Sequence, residues 1–288
     1  MLLGEHAVLH GRRALVCAID QRITVEVFHR WEKVLRIYSD IGTYEAPLDA
    51  LTDHPDFRFV LDAVKQYPSE LGIELKITSD FSSDIGFGSS AAVTVATHAA
   101  LAGDVKNKLD LFKRSLATIH RVQGRGSGAD VVASVFGGVV AYRADPLKIS
   151  PICEEFPLTA VYSGSKIKTV DVIRHLEERR ALNVDYFEKI FDRMDASVDE
   201  VINEFSTLGN MLMLNQKLME EIGLCNSALA EIISIFKGLN LPAKISGSGL
   251  GDCAIGLGQG ASSVEDKPAF GDYKRYALRV TTQGVQVD

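Results

Sequence analysis

The stretch from Ser82 to Ala102 constrains this chain more than any other. A glycine and serine run, Ser82 to Ser90, passes directly into AAVTVATHAALA, whose small residues suit close helix packing. Gly86 and Gly88 stand at alternate positions, where the missing Cβ lets the main chain wrap around an oxygen-rich group. Ser89 and Ser90 then place hydroxyls and amides at the start of a helix, the arrangement that receives a phosphate. The same residues also describe a plain strand-to-helix turn capped by serine. The loop is not a GxxxxGK[ST] P-loop, since no lysine precedes the serines, nor the GxGxxG of dinucleotide-binding folds.

Around this loop the texture is mixed. ALVCAIDQRITVEV from Ala14 to Val27, Lys33 to Tyr38 and Ile73 to Ile77 alternate and are rich in β-branched residues, so the first third reads as strands and hairpins. Helical patterns follow at about Leu109 to Val122, Thr169 to Ala181, Asp185 to Leu208 and Asn215 to Gly238, and the last 45 residues return to strand-like alternation. That order predicts α+β layers rather than a strictly alternating parallel sheet. The 288 residues suit two domains, and two prolines bracketing Pro146 to Pro151 place the boundary there, giving 1–150 and 151–288.

Two further glycine motifs share the character of the first. Gly126-Ser127-Gly128-Ala129-Asp130, followed by Gly137-Gly138, could present a carboxylate to a hydroxyl proton or a metal, or could be a turn with a helix-cap aspartate. Lys244-Ile245-Ser246-Gly247-Ser248-Gly249-Leu250-Gly251-Asp252-Cys253 lies between two strand-like runs, where the bland reading is a β-turn with a bulge. Three such loops in one chain shift the balance toward an oxygen-rich ligand.

Lysine plus arginine number 31 against 38 aspartates and glutamates, a net charge of −7, so neither nucleic acid nor an anionic membrane is expected as a partner. A small-molecule substrate remains, held by backbone amides and a helix terminus. Cys17, Cys153, Cys225 and Cys253 are far apart with no CxxC pair, which predicts reduced thiols in a cytoplasmic protein. No apolar run approaches the roughly 20 residues that span a bilayer. A second copy of the chain, in a homodimer, is the one macromolecular partner entertained.

In this order and at these separations the three motifs resemble the GHMP kinase superfamily, and their flanks look most like its mevalonate kinases. Gly4-Glu5-His6-Ala7-Val8-Leu9-His10-Gly11 with Ala18 to Val25 is similar to the N-terminal signature, and Asn215 to Leu224 to the helix before the third motif. The resemblance implies an S5-like N-terminal domain, a ferredoxin-like C-terminal domain, and ATP and Mg²⁺ as cofactors. It implies that Gly86, Gly88, Ser89, Ser90 and Ala91 cradle the ATP phosphates, Ser90 also meeting Mg²⁺, and that Asp130 is the base for the substrate hydroxyl. It further implies that Ser246, Gly247, Ser248 and Gly249 close over substrate and phosphate, and that Glu5, His6 and Thr169 face the substrate.

The chain also departs from that pattern. The Pro-Gly-Lys strand preceding Gly-Glu-His in the family would fall before Met1, so either the start is misassigned or truncated or the protein is a weak catalyst. Ile119 stands where the family has its magnesium-binding glutamate, eleven residues before Asp130. The stretch Gln123 to Val131 is closer to phosphomevalonate kinases, where Arg125 would meet a substrate phosphate. Phosphomevalonate or a sugar therefore stand as alternative substrates, and a nucleotide- or metabolite-binding paralogue with little turnover as an alternative class. Glu177 to Arg180 reads as a solvated helix face, Met211 to Leu214 as core or inter-helix packing, and Trp31 and Tyr38 as sheet packing. His29, His54, His98 and His175 have no sequence partners that would make them catalytic.

Overall fold

A computed structural model describes residues 1–81, 87–152, 154–258 and 270–288. Gly86 and Cys153 lie outside them. The chain is α+β, as the alternation of textures predicts, and forms two compact units. Residues 1–20 and 137–282 supply one, and 21–81, 87–136 and 283–288 the other, so these units cut the chain differently from a single boundary near residue 150. Pro146 to Pro151 fall in a hairpin between β6 (Val139–Arg143) and β7 (Lys148–Pro151), with Arg143 opposite Lys148.

In the unit that holds the Ser89 helix, β2 (Ile23–Arg30), β3 (Val34–Ser39), β4 (Gly42–Pro47) and β5 (Gly72–Ser79) form a sheet in the order β2-β5-β3-β4. β3 and β5 run parallel, which requires a crossover, and α1 (Arg58–Val64) lies in it. This helix interrupts what reads in sequence as strands and hairpins. Leu35, Ile37, Ile73, Leu75 and Ile77 alternate onto one face and pack with Val60, Leu61 and Val64 of α1 and with Phe57 just before it. Each contributes about 1.5–3 kcal/mol by leaving water. The other residues of the alternation face solvent, which corrects Tyr38, 43% exposed, while Trp31 is 92% exposed because it sits in the β2–β3 turn beyond the paired strands. α2 (Ser89–Ala102), α3 (Lys108–Gln123) and α4 (Ala129–Phe136) complete the unit.

In the other unit, β1 (Ala14–Cys17) joins β6 and β7 in an antiparallel sheet. β8 (Pro157–Tyr162), β9 (Ala243–Ser246), β10 (Cys253–Leu257) and β11 (Arg275–Arg279) form a second sheet in the order β11-β8-β10-β9. Numbered within that sheet the order is 4-1-3-2, the ferredoxin-like arrangement. The helices α5 (Thr169–Leu182), α6 (Val184–Asn203), α7 (Leu208–Glu221) and α8 (Ser227–Gly238) bury Leu176, Phe191, Met194, Leu218, Ile232 and Phe236 with Ile245 and Ala254 of the strands. Of the Met211 to Leu214 run only Leu212 is fully buried and Met213 is 45% exposed, since a helical repeat cannot turn four consecutive residues inward. Glu177 to Arg180 is half tertiary rather than simply solvated: Arg180 pairs with Glu188 of α6 at 2.6 Å, and Arg179 donates to the Ile222 carbonyl. Among the described residues no disulfide joins Cys17, Cys225 or Cys253, and burial pushes Cys253 up to about 12. Among the described residues no helix is long and apolar enough to cross a membrane.

Candidate functional site

Gly88 enters α2 at φ +73°, a left-handed conformation that glycine adopts without strain. With no side chain at this position to cap the helix, the first-turn amides of Ser89, Ser90 and Ala91 stay available to an anion, and the helix dipole favours negative charge there. Ala91, Val95 and Ala99 bury one stripe of α2 and the Thr94 hydroxyl bonds the Ser90 carbonyl at 2.6 Å, so the helix start is held rigidly.

Asp130 meets this loop. It lies in the first turn of α4, exposed, and a Cβ added at Gly88 would stand 3.2 Å from its Cγ and 3.4 Å from Oδ2. The turn that delivers it is built locally. Gly124 ends α3 at φ +78° with its amide on the His120 carbonyl at 2.8 Å, His120 Nε2 bonds the Gly126 carbonyl at 2.9 Å, and Ser127 Oγ accepts from the Ala129 amide at 3.2 Å. Ile119, where the resemblance implies a glutamate, is 5% exposed, and its Cγ2 would stand 3.1 Å from a Cβ at Gly126. That side of the turn is therefore apolar. Arg125 is exposed and, among the described residues, has no ion-pair partner.

The geometry suits a polyphosphate: first-turn amides with no side-chain cap among the described residues, a glycine in the left-handed conformation, and a carboxyl close beside it. For Mg²⁺ the donors are fewer. Among the described residues no group of three His, Cys, Asp or Glu gathers, so the protein's contribution would be an oxygen such as that of Ser90, with phosphate and water completing the shell.

In the other unit the expected substrate residues are deeply placed. Glu5 is 2% exposed, and its Oε1 pairs with Lys244 Nζ, itself fully buried, while Oε2 accepts from Asn215 Nδ2 at 3.2 Å. Lys244 also donates to the Ile245 carbonyl, and the Ile245 amide donates to Gln216 Oε1 at 2.8 Å. Burial lowers the Lys244 pKa, with Glu5 pulling the other way. His6 is non-glycine at φ +60°, and its Nε2 lies 2.8 Å from the Ser248 carbonyl. Burial lowers its pKa as well, so the ring is neutral near pH 7 and donates through Nε2 to that carbonyl.

The Ser246 to Gly249 motif is the start of the β9–β10 loop. Gly247 at φ +93° and Gly249 at φ +86° are left-handed, and Leu250 N donates to the Leu224 carbonyl at 2.8 Å. A Cβ at Gly249 would stand 2.7 Å from that same carbonyl, so only glycine fits. The loop is thus a hairpin connection, as the bland reading has it, and one held down by the segment after α7. Thr169 is the first residue of α5 and exposed. Lys244, Asn215 and Gln216 carry the network around Glu5, although the sequence reading places them only in the third motif and the helix before it and gives them no role at the site. Strand alternation sets Lys244 on the face opposite Ala243 and Ile245, which reads as solvent-facing, so its burial follows only from the pairing with Glu5. A pocket of about 420 Å³ lined by Asp53, His54, Arg58, Asp62, Lys65 and Arg121 holds none of the predicted residues. Two of its pairs, Arg121–Asp62 at 2.8 Å and Lys65–Asp53 at 3.8 Å, already satisfy each other.

The chain matches the models of the GHMP kinases N terminal domain over residues 57–138 and the GHMP kinases C terminal domain over 175–268. A mevalonate kinase of Archaeoglobus fulgidus is 35% identical over 269 residues, covering 90% of each chain. The crystal structure of Methanococcus jannaschii mevalonate kinase superposes with a TM-score of 0.82 at 22% identity, covering 97% of this chain and 95% of the other. A Streptococcus pneumoniae phosphomevalonate kinase, solved with phosphomevalonate and AMPPNP, superposes with a TM-score of 0.79 at 18% identity, covering 96% of each. With both domain models matched in order and a relative aligned along nine-tenths of its length, the chain belongs to the GHMP kinase family.

Proposed function

We propose that this protein transfers the γ-phosphoryl group of ATP to the hydroxyl of mevalonate. The observation that supports this most is the Asp130 carboxyl set against Gly88 at the uncapped start of α2. The relative most similar in sequence named above is a mevalonate kinase. In this reading the amides of Ser89, Ser90 and Ala91, with Gly86 and Gly88, hold the phosphates, and the Ser90 hydroxyl contributes to Mg²⁺, which would neutralise the phosphate charge. As the acceptor oxygen bonds to γ-phosphorus and the bond to ADP breaks, Asp130 takes the hydroxyl proton. His6, Thr169 and the Ser246–Gly249 loop are assigned to the acceptor and its phosphate. An ADP-release assay with mevalonate tests the reading. Asp130→Asn should lower turnover by about 10² or more while ATP affinity, measured by titration, stays within a few-fold. Undiminished turnover removes Asp130 from the chemistry.

Phosphomevalonate is the second reading. Arg125 favours it, because an exposed guanidinium with no ion-pair partner among the described residues is available for a dianionic phosphate.

A further inference from the structure

Glu5, read from sequence as a group facing the acceptor, has both carboxylate oxygens engaged inside the protein, Oε1 by Lys244 and Oε2 by Asn215. Burying a lysine and a glutamate carries a desolvation penalty for each ion, and an apolar pair of the same volume often serves stability equally well. The placement of this pair makes a role beyond stability concrete. Glu5 is covalently next to His6, the residue held at φ +60°, and Lys244 is two residues before Ser246, where the glycine loop begins. α7 closes the arrangement from one side, Asn215 bonding Glu5 and Gln216 bonding the Ile245 amide. The His6 ring then meets the Ser248 carbonyl at 2.8 Å. A non-glycine residue in the left-handed region persists only where its surroundings over-determine it. Here the backbone before His6 is tied through Glu5, and the backbone after it through Leu9 N on the His6 carbonyl at 2.8 Å.

We propose that Lys244 and Asn215 are positioning residues that clamp Glu5, and through it hold the His6 imidazole and the Ser246–Gly249 loop in one register for the acceptor. Glu5 itself is the hub of this clamp and not an acceptor ligand. The proposal rests on the reading that His6 faces the acceptor, and the test separates the two.

The paired variant Glu5→Gln/Lys244→Met removes both charges at nearly constant volume. It is compared with the parent, with His6→Asn, and with all three substitutions together, by steady-state kinetics in mevalonate, ATP titration and thermal melting. Asparagine is chosen because it tolerates the left-handed region. The paired variant should melt within a few degrees of the parent and bind ATP within about twofold. Its kcat/KM for mevalonate should fall at least tenfold, mainly through KM. In the His6→Asn background the same pair of changes should alter kcat/KM by less than twofold, because the clamp acts through that ring. Losses that simply add, or a paired variant with parental kinetics, overturn the proposal. Should the paired variant fail to fold, Glu5→Asp keeps the charge, withdraws the hub by one methylene, and must show the same dependence on His6. If His6→Asn alone leaves kcat/KM unchanged, it is the acceptor reading of His6 that fails. If the parent uses phosphomevalonate instead, the same cycle is read with that acceptor.

Discussion

At the scale of single residues, the absence of a side chain at Gly88 matters as much as any functional group. The backbone there is left-handed, and the Asp130 side chain would stand 3.2 to 3.4 Å from a Cβ, close enough that it would have to shift. An L-residue in that region costs about 1–2 kcal/mol before any clash is counted, and a β-branched one adds the crowding of its γ-methyls. Gly88→Val should therefore remove measurable ATP binding while the protein still melts cooperatively. The check is a nucleotide titration beside a melting curve. A Kd equal to the parent's would show that nucleotide phosphates sit elsewhere. The alternate glycines are plain in the sequence. That the second of them touches Asp130 is not, because the contact arises only when α4 is packed beside the start of α2.

At the scale of elements, α2, α3 and the segment after α1 enclose a histidine that sequence pattern marks as unremarkable. His98 of α2 is fully buried, with Nδ1 3.3 Å from the Tyr67 hydroxyl and Nε2 3.0 Å from Thr118 Oγ1 of α3. Burial drives its pKa down to about 4, with Arg114 and Arg121 pushing the same way and Asp62 against. An unfolded imidazole takes its proton near pH 6.5. Between those values the unfolded chain therefore holds one more proton than the folded one, and stability falls as pH drops through the window. The full effect is roughly 3 kcal/mol, reached near pH 4 and absent above about pH 7. His98→Gln should flatten the pH dependence of the urea midpoint between pH 6.5 and 4 relative to the parent. Equal slopes for the two proteins would mean that His98 does not titrate in that window.

At the scale of the whole molecule, the fold is shared by enzymes named for different acceptors, with TM-scores of 0.82 and 0.79 against a mevalonate and a phosphomevalonate kinase. Architecture therefore does not choose the acceptor, and the choice passes to individual charges. A mevalonate carboxylate and hydroxyl can be met by few groups, whereas a phosphate dianion needs added positive charge. Arg125→Ala should change kcat/KM for mevalonate by less than about tenfold, while loss of a buried arginine-to-phosphate pair would cost roughly 2 to 5 kcal/mol. The assay is a parallel measurement with both acceptors. A loss above about a hundredfold confined to the phosphorylated acceptor would reassign the substrate.

Local pattern along the chain is enough for the α+β class, the three glycine loops in their order and the family they resemble, because glycine spacing and apolar alternation are set by backbone sterics and side-chain period. It did not reveal α1, whose seven residues are too few to establish a helical period between strands. Nor did it show that residues 1–20 pack with the second half of the chain, that Glu5 is spent on Lys244, or that Trp31 lies in solvent. Those were decided by tertiary structure. Burial and pairing depend on which distant segments share a core, and a buried lysine is tolerated only where folding brings a carboxylate to meet it.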